Sequence, residues 1–181
     1  MAPLLDTEAF SGVLLVTGAY IWLFYALMML GPSAHETGRS EAQQRWGHRS
    51  FLNMQEQSPA FLVSLWGCAV AVDPADAARL GAAYLCLRAC YPLIWMARGK
   101  FDPTIFLCTI PQYGIVLYMA TACAYKGATG SDLKGLFLGS CAAGSAVFAA
   151  IFFAEFFGAC ALNRAVTAVG FFREGAAAKK A

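Results

Sequence analysis

Arg49-Ser-Phe-Leu-Asn53-Met-Gln-Glu56-Gln-Ser-Pro59 is the stretch that decides the fold. It opens a segment that stays largely apolar as far as residue 72, yet it carries a guanidinium, an amide and a carboxylate. At about 100° per helical residue, Arg49, Asn53 and Glu56 (i, i+4, i+7) share one face. Hydrocarbon excludes such groups unless they are paired or hydrated. A polar face on an otherwise apolar helix therefore marks a site inside a helical membrane bundle.

The composition agrees. The chain has 181 residues, 59% hydrophobic and 13% charged, whereas a soluble domain is about half apolar and a quarter charged. The excess lies in long runs, which predicts an all-α integral membrane protein. A net charge of +2, with no basic stripe interleaved with aromatics, gives no reason to expect nucleic acid as a partner. The seven cysteines all lie in apolar runs and form no CxxC pair, so they read as small buried hydrophobes rather than metal ligands or a disulfide framework.

Five apolar runs follow in order, at about 9–30, 50–72, 75–97, 104–125 and 133–162, each long enough against the ~20 residues a bilayer requires. The acidic N-terminus lacks the positive start of a secretory signal, so the first run reads as a retained anchor. Gly31-Pro32 is expected to end it, leaving a polar loop over 31–49 in which His48 reads as interfacial. Pro59 removes a backbone bond within the second run. Asp73-Pro74 and Asp102-Pro103 are helix starts, a capping carboxylate followed by proline at the first helical position. The third run carries Arg88, Tyr91 and Trp95 on one face; Arg88 needs a partner, and Glu56 on the neighbouring helix is the candidate. The fifth run holds Gly135-x3-Gly139, read as a helix-packing face, and Glu155. Lys and Arg collect in 31–49, 98–103 and the tail, against only Arg79, Lys126 and Lys134 opposite, which predicts an N-terminus outside or lumenal and Arg49 at the cytosolic edge. Five spans are too few for a common transporter repeat pair.

The spacing Arg49-x3-Asn53-x2-Glu56-x2-Pro59, with Phe61-Leu62 to Leu65-Trp66 after it and Tyr84-Leu-x2-Arg88-x2-Tyr91 in the third run, resembles the MAPEG family (membrane-associated proteins in eicosanoid and glutathione metabolism). Tyr113-Gly114 is similar to its microsomal glutathione transferase branch. The resemblance covers about residues 9–125. Beside the additional transmembrane helix at 131–162 and the polar tail at 163–181 that the apolar runs predict, it implies a four-helix bundle over 1–130. It also implies a homotrimer, or a subunit of a larger membrane assembly, in the endoplasmic reticulum or another organelle membrane.

Glutathione is the implied co-substrate, bound between subunits, with a lipophilic small molecule arriving from the bilayer. Arg49, Asn53, Glu56, Arg88, Tyr91 and Trp95 are the implied glutathione-binding set; Trp95 stands where the family has a second tyrosine. Catalytic members carry a thiol-activating arginine at the start of the fourth span. Here that region reads Asp102-Pro-Thr104-Ile, and Lys100 and Thr104 are the candidate activators. The arginine the family places near the end of the first span is missing, and a fifth span is not the family's pattern. Two functions follow as expectations: a glutathione-dependent transferase or peroxidase, or a non-catalytic protein on the same fold that presents a lipid or serves as an accessory subunit.

Overall fold

The computed structural model describes residues 7–98 and 102–168. Among them are five α-helices and no strand: α1 (Ser11–Glu36), α2 (Glu41–Ala71), α3 (Pro74–Arg98), α4 (Phe106–Thr129) and α5 (Cys141–Ala168). Short 3₁₀ turns at Pro103–Ile105 and Leu133–Phe137 precede α4 and α5. Four helices, α1, α3, α4 and α5, are long and apolar enough to cross a membrane. α2 is the polar one, and it packs against α1, α3 and α4. The three apolar neighbours give α2 the shelter its polar face requires.

The loop expected over 31–49 is helical at both ends. α1 continues through Gly31 and Pro32 to Glu36. α2 begins at Glu41, where the Ser40 hydroxyl accepts from the Gln43 amide at 3.4 Å. Ser40-Glu-Ala-Gln43 is a capping-box sequence, a signal the apolar runs obscured. α1 and α2 can run this close because both have glycine at the crossing. A Cβ on Gly47 would lie 2.6 Å from the backbone of Leu30 and Gly31. α2 also continues unbroken through Pro59, and the Ser58 hydroxyl donates to the Met54 carbonyl at 2.9 Å.

The core joins all four helices of the bundle. Phe61 of α2 is fully buried between Tyr84 of α3, stacked at 3.9 Å, and Tyr20 of α1, at 4.9 Å. Aromatic pairs of this kind add about 0.5–1.5 kcal/mol beyond area burial.

Gly135 and Gly139 are not a helix-packing face. Gly135 lies in the 3₁₀ turn, and Leu138 (φ 55°) and Gly139 (φ 74°) are left-handed, so the chain is re-aimed before α5 starts at Cys141. The close packing of α5 on α4 comes from other glycines. A Cβ on Gly114 would lie 2.6 Å from the Ala149 Cβ, and Gly144 faces the Tyr118 ring.

A cluster of ion pairs holds the α4–α5 connection to the start of α3. Lys134 Nζ meets Asp76 Oδ2 at 2.7 Å, Arg79 meets Asp76 at 3.4 Å, and Lys126 meets Asp132 at 2.8 Å. Lys134→Ala should free the turn and lower the melting temperature in detergent, whereas Arg79→Ala, whose side chain is 77% exposed, should change it little. The pH dependence has two limbs. The hydrogen bond from Lys126 holds the Asp132 carboxyl below its usual value, so that contribution is full above the unfolded-state pKa and lost as pH falls through the folded one. The hydrogen bond to Asp76 raises the Lys134 ammonium, so that contribution is full below the unfolded lysine range and lost as pH rises through the raised value. Asp132→Asn should remove the acid limb alone. Equal neutral-pH melting of Lys134→Ala and wild type would show that the cluster does not secure the fold.

Candidate functional site

α2, α3 and the start of α4 enclose a cleft of about 320 Å³, lined by Arg49, Asn53, Tyr91, Trp95, Ile105, Phe106 and Thr109. The lining is chemically mixed: Arg49, Asn53 and Tyr91 supply a cation, an amide and a phenol, and Trp95, Ile105 and Phe106 supply apolar surface. Tyr91 is buried and its ring centroid lies 6.2 Å from that of Trp95, one turn on along α3. The cap at Asp102, whose carboxylate accepts from the Thr104 amide at 2.9 Å, starts the turn that brings Ile105 and Phe106 to the cleft.

Arg88 lies directly behind this lining and is fully buried. Its Nη1 donates to Asn53 Oδ1 and, at 3.3 Å, to Gln112 Oε1; its Nε points at the Met54 sulfur at 3.2 Å. Its guanidinium carbon stands 5.4 Å from the Tyr91 ring centroid, a cation–π contact. No carboxylate pairs with Arg88 among the described residues. Its Nη2 and the Gln112 Nε2 are buried without a partner. Because Asn53 Oδ1 is taken by Arg88, its amide nitrogen is left to donate into the cleft. A second polar layer lies one turn further along α2 and one turn back along α3. There Gln57 accepts from Tyr84 at 3.2 Å and donates to Tyr113 at 3.1 Å.

The structure thus brings Arg49, Asn53, Tyr91 and Trp95 together and sets Arg88 beneath them. It does not pair Arg88 with Glu56. Glu56 is 60% exposed and meets Arg49 at 3.9 Å. Helical geometry gives the reason. Taking Arg49 as zero, Asn53 lies at about +40°, Gln57 at about +80° and Glu56 at about −20°. The buried side of α2 is that of Ser50, Asn53 and Gln57, so Glu56 falls outside it. The shared face is real, but it straddles the edge of the bundle.

The Thr104 hydroxyl is buried without a partner and does not line the cleft. Lys100 lies outside the described residues. Sequence reading passed over Ile105, Phe106 and Thr109 in the lining and Gln112 and Gln57 behind it. The signal for Gln112 was the one that exposed Asn53: an amide inside an apolar run.

A bundle of apolar helices around a polar one, with a cleft of mixed polar and apolar lining, defines a multi-pass helical membrane protein. A family model described as the MAPEG family matches residues 10–125. That is more than half of the chain, and the protein belongs to the MAPEG family. No curated protein and no solved structure matches it.

The geometry separates the two charged groups once expected to pair. Glu56→Gln should cost little, because exposed ion pairs contribute about 0–1 kcal/mol. Arg88→Met should destabilise far more, since each buried acceptor it strands costs about 1–3 kcal/mol. Thermal unfolding of the two variants in the same detergent decides; equal losses would contradict this placement.

Proposed function

We propose that this chain is a MAPEG-family membrane enzyme that binds glutathione in the cleft and transfers it to, or uses it to reduce, a lipophilic molecule arriving from the bilayer. The observation that carries the reading is the mixed lining of one cleft: Arg49, Asn53 and Tyr91 beside Trp95, Ile105 and Phe106. Glutathione is a peptide with two carboxylates and one thiol. A guanidinium holds a carboxylate as a bidentate fork, and the Asn53 amide and Tyr91 hydroxyl suit the peptide groups. The apolar surface suits an acceptor that comes out of lipid.

Arg49 and Glu56 are both about half exposed at the edge of the bundle. In a homotrimer these groups would face a neighbouring copy, which places Glu56 to receive the ammonium of a glutathione bound between subunits. A free thiol has a pKa of about 8.5, so a nearby cation is needed for a ready thiolate at neutral pH. Arg49 is in the lining, Arg88 acts from behind it through Asn53, and Lys100 remains a further candidate. In conjugation the thiolate sulfur attacks an electrophilic carbon; the carbon–sulfur bond forms as the carbon's bond to a leaving group, such as an epoxide oxygen, breaks, and the displaced anion takes up a proton. With a hydroperoxide the sulfur attacks the terminal oxygen and the O–O bond breaks. The alcohol leaves, and a second glutathione converts the sulfenic acid to disulfide and water.

The second reading is a non-catalytic protein that presents a lipid or joins a larger membrane complex. One observation favours it. Among the described residues, the start of α4 offers the Asp102 carboxylate and the buried Thr104 hydroxyl, not a cation.

Isothermal titration of detergent-purified protein with glutathione tests the binding, and a chromogenic electrophile tests the chemistry. Arg49→Ala should weaken glutathione affinity about tenfold to a hundredfold, the worth of one charge-assisted hydrogen-bonded contact. Wild-type affinity no tighter than that of Arg49→Ala would remove the enzyme reading. Tight glutathione binding without conjugation or peroxide reduction would favour the non-catalytic one.

A further inference from the structure

The matched family region stops at residue 125, but the wall of the cleft is supported from beyond it. Phe106 lines the cleft and also meets α5: its ring and that of Phe156 are edge to face, with centroids 5.5 Å apart at 60°. One turn earlier on α5, Phe152 stacks on Tyr113 at 4.2 Å. Tyr113 is the residue that accepts from Gln57 in the second polar layer. Next to the second contact Gly114 lets the helices close, since a Cβ there would lie 2.6 Å from that of Ala149. Ala149, Phe152 and Phe156 (i, i+3, i+7) form one helical face. Phe157 is off that face, 52% exposed, and its ring contacts are to Phe153 and Phe156. α5 packs on α4 and touches α3, but makes no contact with α2.

We infer that Phe156 of the fifth helix is a positioning residue that fixes Phe106 as the apolar wall of the cleft and so limits the size of lipophilic molecule the cleft admits. Without the ring of Phe156, Phe106 has room to swing toward α5, and the cleft widens beside Phe106. Arg49 and Asn53 are carried by α2, which α5 does not touch, so they keep their places. The positioning of the wall stands on ring geometry alone. That the admitted molecule is an acceptor for glutathione rests on the function proposed above.

Two measurements on the full chain in detergent keep these apart. The first needs no glutathione. In a variant with all seven native cysteines replaced, Thr109→Cys places a thiol in the lining, and its alkylation is followed with maleimides of increasing size. Phe156→Ala should speed labelling by the bulkiest reagent about tenfold, the scale on which a hydrophobic pocket discriminates by size, with N-ethylmaleimide hardly affected. Phe156→Leu should restore most of the wild-type pattern, and Phe157→Ala should leave it unchanged. Phe156→Ala labelled like wild type at every size would overturn the inference. So would faster labelling at all sizes in both Phe156→Ala and Phe157→Ala, which would mean general loosening.

The second measurement is kcat/KM across electrophiles of increasing alkyl length at saturating glutathione. Phe156→Ala should move the optimum to longer chains while the glutathione Kd stays at its wild-type value. An unmoved optimum would overturn the acceptor-selecting role. If the labelling pattern is as expected but wild type neither binds nor turns over glutathione, the glutathione reading fails and the assignment of the wall stands.

Discussion

A guanidinium held dry inside the bundle by neutral partners is the constraint from which the rest of the structure follows. Arg88 is fully buried, and its acceptors are two amide oxygens and a thioether sulfur. A buried charge without a carboxylate is tolerable only when donors and acceptors meet at good geometry. Asn53 and Met54 come from α2, Gln112 from α4, and Arg88 itself from α3, so three helices must meet at one level. That requirement places α2 at the centre, because α2 brings most of the polar groups. It also explains why the other helices are apolar: they are the cover under which polar contacts can form.

The same register repeats one turn away. α2 and α3 are antiparallel, so a step forward from Asn53 to Gln57 matches a step back from Arg88 to Tyr84. α4 contributes Gln112 to one layer and its neighbour Tyr113 to the other. A slip of α3 along α2 would leave amides, phenols and a guanidinium unpaired together, each at a desolvation cost. The cleft forms where this stack reaches the end of the bundle. Asn53 belongs to both, with its oxygen on Arg88 and its nitrogen free for the cleft. The support of the bundle and the polar part of the cleft lining therefore share one set of contacts.

Much of this was legible in the sequence because membrane helices penalise polar residues so heavily. Arg49, Asn53, Arg88, Tyr91 and Trp95 stood out against apolar runs, and the cleft gathers four of them with Arg88 behind. Charge alone predicts Glu56 for Arg88, whereas its partners are two amides, a thioether and an aromatic face. Glu56 shared a face with Arg49, but spacing fixes only angles between residues, not which angle points inward. That depends on Ser50, Asn53 and Gln57 packing against other helices. The Gly135-x3-Gly139 pattern failed for a related reason. The pattern presupposes a helix, and two left-handed residues at 138 and 139 end the turn before one can form.

The fifth helix shows how far an element outside the family match can reach toward the cleft. α5 lies beyond the family match, and very little of it is buried, so few core contacts hold it. It is secured instead at three heights: by Lys134 on Asp76 at one end, by Gly114 against Ala149 in the middle, and by Phe152 and Phe156 on Tyr113 and Phe106 toward the other. The last two partners are not arbitrary. Tyr113 bonds to the polar layer that fixes the bundle, and Phe106 is wall to the cleft. A helix lying only on lipid would have no cause to place two aromatic rings on those residues. Its position ties Phe106 to α5, while Asn53 and Tyr91 are tied to Arg88. The cleft lining therefore rests on two separate supports: a helix at the edge of the bundle and the buried charge at its centre.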